Sequence, residues 1–154
     1  MHVGAVMIVF LICCALASAE EPIHHLLQVT IDPTKSSLHV VDRMTLPRGM
    51  NISRTTFHLH QHLKIESNTN LTRVASDTAT AGVPMQSFKL SRLDPDGTVT
   101  LRYAGTIDHQ LAGPQEESER SFSETPGIIG NEGVFLASST LWYPHVPDQM
   151  LSFS

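Results

Sequence analysis

Along most of this chain apolar and polar residues alternate with a period of two, the spacing of a half-buried strand rather than a helix. His25, Leu27, Val29 and Ile31 fall on one face and Leu26, Gln28 and Thr30 on the other, until Asp32-Pro33 ends the run. Leu38, Val40, Met44 and Leu46 repeat the pattern, with Asp42 interrupting the apolar face, as far as Pro47-Arg48-Gly49. Phe57, Leu59, Leu63 and Ile65 predict a third extended segment, in which His62-Leu63 slips the alternation as a bulge would. Residues 68–82, rich in Ser, Thr, Asn, Asp, Ala and Gly, predict a polar edge strand and loop. Phe88, Leu90 and Leu93 precede Asp94-Pro95-Asp96-Gly97, and Val99, Leu101 and Tyr103 follow it. That arrangement predicts a β-hairpin.

From Leu111 to Gly133 the pattern gives way to Gly, Pro, Ser and charge, which predicts a long connection. Val134-Phe135-Leu136 and Leu141-Trp142-Tyr143-Pro144 regain strand-like character, and Leu151-Ser152-Phe153-Ser154 opens a further alternating run. No stretch of about ten residues reads as an amphipathic helix. The expected fold is all-β, a largely antiparallel sheet or sandwich.

Composition changes the picture mainly at the N-terminus. Val3–Leu16 is a continuous low-polarity run, short of the roughly 20 residues a membrane-spanning helix needs. Ala17-Ser18-Ala19 follows it as an A-x-A pattern, so residues 1–19 are expected to be a signal peptide cut after Ala19. Setting them aside lowers the apolar share from 41% to about 35% and removes both cysteines, Cys13 and Cys14. The expected product is one exported domain over residues 20–154, secreted or periplasmic, held by its core without disulfides. A formal charge of −5 with ten scattered Lys and Arg argues against a nucleic-acid partner.

Candidate chemistry is sparse. His58, His60 and His62 alternate and would share one face of an ideal strand, the arrangement of a weak metal site. Neighbours two apart are separated by about 6.7 Å along a strand, so any ion would need ligands from elsewhere. A solvated polar face is the plainer reading of the three. Glu116-Glu117 and Glu119 read as solvated surface. Asn51-Ile52-Ser53 and Asn70-Leu71-Thr72 match the N-glycosylation pattern, which matters only in a eukaryotic secretory route. The chain contains no H-E-x-x-H, no G-x-S-x-G and no phosphate loop. Trp142 and Tyr143, preceded by Ala137-Ser138-Ser139-Thr140, are candidates either to line a cleft or to pack in the core.

Three stretches carry a resemblance: Arg120-Ser121-Phe122-Ser123-Glu124-Thr125-Pro126-Gly127-Ile128-Ile129, Gly133-Val134-Phe135-Leu136-Ala137-Ser138-Ser139, and Trp142-Tyr143-Pro144. With Ile31-Asp32-Pro33 and Tyr103-Ala104-Gly105, they make the chain similar to the N-terminal β domain of bacterial aminopeptidase N-like gluzincins, a zinc aminopeptidase family. The resemblance runs from about Leu26 to the last residue.

It implies a saddle-shaped β domain preceding a thermolysin-like catalytic domain of the same polypeptide. That domain would supply zinc, its H-E-x-x-H ligands and general base, and the G-x-M-E-N loop. Neither motif occurs in this chain, so no cofactor is expected within it and it is expected to be inactive alone. The family's β domain lines one side of the peptide cleft, which makes Ser138, Ser139, Trp142 and Tyr143 the residues expected beside substrate. In the family a polar or acidic side chain just before the Tyr-Pro pair can hold the substrate's free amine. Ala137–Thr140 has no acid, and Glu132 is the nearest.

The strand opening at Leu151 adds the expectation of a chain truncated within its β domain. Two alternatives stand beside this reading. One is a non-catalytic exported β-sandwich that binds a protein or glycan through residues 111–133 and the Trp142 region. The other is a metal scavenger built on the histidines.

Overall fold

The computed structural model describes residues 21–66, 70–74, 83–109 and 127–154 of the chain. Their strands are β1 (Ile23–Asp32), β2 (Ser37–Thr45), β3 (Phe57–His60), β4 (Leu63–Ile65), β5 (Leu71–Val74), β6 (Met85–Leu90), β7 (Thr98–Thr106), β8 (Gly127–Gly130), β9 (Gly133–Leu136) and β10 (Leu151–Phe153). The fold is all-β. A five-stranded sheet has the order β10-β1-β2-β7-β4, a three-stranded sheet the order β3-β6-β5, and β8 pairs with β9. All these pairings are antiparallel except that of β1 with β10, which is parallel. The expected signal peptide with its cut after Ala19, the acidic run at 116–120 and the first part of the resemblance, 120–126, lie outside the described residues. Among the described residues no helix is long and apolar enough to cross a membrane.

The two larger sheets bury one core between them. Leu38, Val40 and Met44 of β2 and Val99, Leu101 and Tyr103 of β7 meet Phe57 and Leu59 of β3 and Phe88 and Leu90 of β6. Phe57 and Phe88 are cross-strand partners whose rings stack at 5.5 Å. Each such side chain, withdrawn from water, stabilises the fold by about 1.5–3 kcal/mol. The β1–β2 hairpin closes where the sequence stops alternating. The Asp32 carboxylate accepts from the Thr34 amide at 3.1 Å, Pro33–Lys35 form a 3-10 turn, and Ser36 takes a left-handed conformation at φ 49°.

Several expectations need correction. Asp94–Gly97 does turn, with the Gly97 amide on the Asp94 carbonyl at 2.9 Å and Gly97 at φ 78°. The strands it joins, β6 and β7, belong to different sheets, so it is a corner and not a hairpin. The slip at His62-Leu63 is likewise not a bulge. It is the point where the chain leaves the three-stranded sheet at His60 and enters the five-stranded sheet at Leu63.

Two residues adapt to that crossing. The Gln86 side-chain amide donates to the carbonyls of both His60 and Leu63. Gly105 of β7 lies so close beneath it that a Cβ there would sit 2.0 Å from the His62 carbonyl oxygen. Gly127–Gly130, expected within the long connection, is strand β8, with Ile129 fully buried. Leu141–Pro144, expected as strand-like, instead follows a 3-10 turn at Ser138–Thr140 and is irregular.

Candidate functional site

Residues 141–145 lie along the edge of β3 that β6 leaves open. The His60 amide donates to the Leu141 carbonyl at 2.7 Å. His58 and His145 exchange two backbone bonds, at 2.8 and 2.9 Å. To reach this position Leu141 adopts φ 55°, a left-handed conformation that costs a side-chain-bearing residue about 1–3 kcal/mol. The Ser138–Thr140 turn before it has no side-chain cap. It leaves Ser138 and Ser139 exposed and Thr140 fully buried.

Between this segment and the strands lies a pocket of about 370 Å³. Met85, Leu141 and Pro147 give it apolar walls, and Ser138, Ser139, His58 and His145 give it polar groups. Among the described residues the lining contains no carboxylate, ammonium or guanidinium. Burial holds the His58 imidazole below its ordinary value, and the nearby His145 lowers it further. Burial also lowers His145, opposed by Asp148 and assisted by His25. Both rings are therefore neutral at pH 7. His58 Nδ1 is paired with the Ser87 hydroxyl at 2.9 Å, which fixes the ring against β6.

The histidine set separates in space. His58 faces the pocket, while His60 is fully buried and points to His109, with the two Nε2 atoms 2.9 Å apart. His62 lies beyond the end of β3. Its ring is 5.1 Å from that of His60, and its backbone N–H donates to His60 Nδ1 at 3.2 Å. That bond makes Nδ1 an acceptor, so in the neutral ring the proton sits on Nε2 and is donated to His109 Nε2. Burial, with His109 and His62 adding to it, depresses His60 to about 4.

A zinc ion would need the Nε2 lone pair that this network occupies with a proton, and three or four ligands in all. Among the described residues no group of three or more His, Cys, Asp or Glu side chains could hold a metal. As arranged here, His58, His60 and His62 do not fit zinc with any other described residue.

The aromatic pair turns inward. Tyr143 is 7% exposed and packs against the His25 ring at 5.7 Å and Phe153 at 5.1 Å. Trp142 is half-buried and meets the Tyr143 ring edge-on at 5.0 Å. Of the four residues expected beside a substrate, Ser138 and Ser139 line the pocket, while Trp142 and Tyr143 are not part of its lining. Sequence reasoning missed Met85, Leu141, His145 and Pro147. His145, three residues after Trp142 in a chain with nine histidines, carried the one usable signal.

Comparison with protein-family models, with curated proteins and with solved structures found no match.

Proposed function

We propose that this chain is the exported, cleft-lining β domain of an aminopeptidase N-like zinc peptidase, without catalytic activity of its own. The observation that carries the reading is the placement of residues 133–145. This stretch, which bears much of the resemblance, forms a surface ledge of β9, the 3-10 turn and the segment docked on β3. Ser138 and Ser139, at the positions where the resemblance implies substrate contact, stand exposed on its rim.

The metal, the general base and the peptide-orienting loop would come from the catalytic domain. This chain would contribute shape and hydrogen-bonding groups on one side of the peptide. A domain-complementation assay tests this. The chain should release no amino acid from aminoacyl anilides alone, with or without zinc. It should restore turnover when mixed with a gluzincin catalytic domain stripped of its own β domain. Zinc-dependent hydrolysis by the chain alone, or binding to the catalytic domain without rescue, would overturn the reading.

One observation favours the second reading, a self-sufficient binding module for a protein or glycan. The strand opening at Leu151 is paired: β10 joins the sheet beside β1, and Ser154 continues the ladder with bonds to His25 and Leu27 at 3.0 and 3.1 Å. A cooperative unfolding transition with native-like amide dispersion in the isolated chain, combined with failed complementation, would select this reading.

A further inference from the structure

We infer that the pocket between β3 and residues 138–147 binds a compact, uncharged ligand with an apolar body and a hydrogen-bonding end. The body would rest on Met85, Leu141 and Pro147, and the polar end would meet Ser138, Ser139 and His58. A volume of about 370 Å³ lies in the range of small-ligand sites, roughly 300–1,000 Å³. The mix of apolar walls with a few convergent polar groups is what such sites share.

The charge class follows from the lining. An ion entering a largely apolar cavity loses hydration, and that loss is compensated only by a countercharge or by several well-aimed hydrogen bonds. Among the described residues this pocket offers two imidazoles and two hydroxyls and no fixed charge of either sign. Two further features show that the wall is built. His58 is fixed by the Ser87 hydroxyl, and the Leu141 carbonyl is tied to β3 by the His60 amide. Leu141 is the left-handed cap of the Ser138–Thr140 turn, its amide on the Ser138 carbonyl at 3.0 Å, and that turn sets its side chain on the pocket wall.

The inference does not rest on the peptidase reading, and it differs from an amine anchor, which would prefer a cation. Three near-isosteric probes separate the possibilities at pH 7.5: isovaleramide, isovalerate and isopentylamine. Each is titrated into isotopically labelled full chain and followed by amide chemical shifts. Isovaleramide should give saturable shifts at residues 138–147 and in β3, and both ions should bind at least tenfold more weakly.

Ser139→Trp, an exposed position on the rim, should abolish the shifts by filling the pocket. Ser138→Ala/Ser139→Ala should weaken binding severalfold with the amide spectrum otherwise preserved. The inference is overturned by any of three results: no saturable shift, shifts centred on other surfaces such as Val29 and Ile31, or a cation or anion bound as tightly as the amide. Because no catalytic domain is present in this experiment, failed complementation leaves its outcome untouched.

Discussion

Two fully buried histidines, His25 and His60, meet the cost of burial in different ways. His25 on β1 pairs through Nδ1 with the equally buried Asp42 carboxylate of the neighbouring β2, at 2.9 Å. His60 on β3 has no carboxylate partner among the described residues and bonds another imidazole and a backbone amide. The first solution joins two buried polar side chains by one hydrogen bond and leaves His25 Nε2 and Asp42 Oδ1 without partners among the described residues. The second keeps the ring neutral and uses its two nitrogens as one donor and one acceptor. A buried imidazole is thus held either by a carboxylate on the neighbouring strand or by a second ring and a backbone amide, and its neighbours decide which.

The largest test of this contrast is Asp42→Ala. It leaves a buried imidazole facing an emptied site and should cost about 3–5 kcal/mol in urea unfolding. His25→Leu/Asp42→Leu should recover most of that loss, since an apolar pair of similar volume carries no desolvation cost. If the double variant is no better than the single one, the pair is not an isolated electrostatic unit.

Acid should act mainly through the second type of histidine. His60 has a folded value of about 4 against an ordinary 6.5, so the unfolded chain takes up a proton first as pH falls. Stability contributed by the neutral ring is present above pH 6.5 and is lost progressively down to about 4. That amounts to about 3 kcal/mol. His58, His109 and His145 are lowered in the same direction. Asp42 has the opposite sign: burial raises its carboxyl, which favours the folded state in acid and offsets part of the loss. Urea midpoints across this range should fall with pH, and His60→Leu should flatten the slope. An unchanged slope would show that His60 is not the depressed group.

A smaller effect is expected at the connector's partner. His109→Ala leaves the His60 Nε2 proton without its acceptor and should cost about 1–3 kcal/mol. His109→Gln, which can still accept, should recover part of it. Smallest of all should be Val29→Thr and Ile31→Thr, within about 0.5 kcal/mol. These residues are 39% and 37% exposed, although they share the strand face that carries His25.

That last pair shows how far the sequence could be read. Alternation identified β2 and β7 and their inward faces correctly, because the pleat imposes a period of two wherever a sheet has a core on one side. It could not show where the covering layer ends. Val40 and Leu38 are buried, while their cross-strand partners Val29 and Ile31 are not. Asp42 stood out as an interruption of an apolar face. Its reason, His25 across the ladder, depends on a pairing register that no local pattern encodes.

The Asp94–Gly97 turn was legible and its consequence was not, because turn chemistry bends the chain without choosing which sheet receives the next strand. β8 was missed because two isoleucines between glycines are too short a run to show a period. At the candidate site, Ser138 and Ser139 came from the resemblance, whereas the pocket's other walls come from β3, from Met85 at the start of β6 and from the segment after Leu141, brought together only by the fold.

The parallel pairing of β10 with β1 has a kinetic consequence. Its side-chain bond between His24 and Ser152 spans 128 positions. The ladder it completes is only three residue pairs long. Few bonds set against a long loop closure place this pairing at the low-free-energy end of the molecule's opening motions. In deuterated water the amides of Ile23 and Leu27, which bond to Met150 and Ser154, should exchange well before those of Val40 and Leu101. The rim of the large sheet would then open and close many times for each global unfolding, while its centre stays shut.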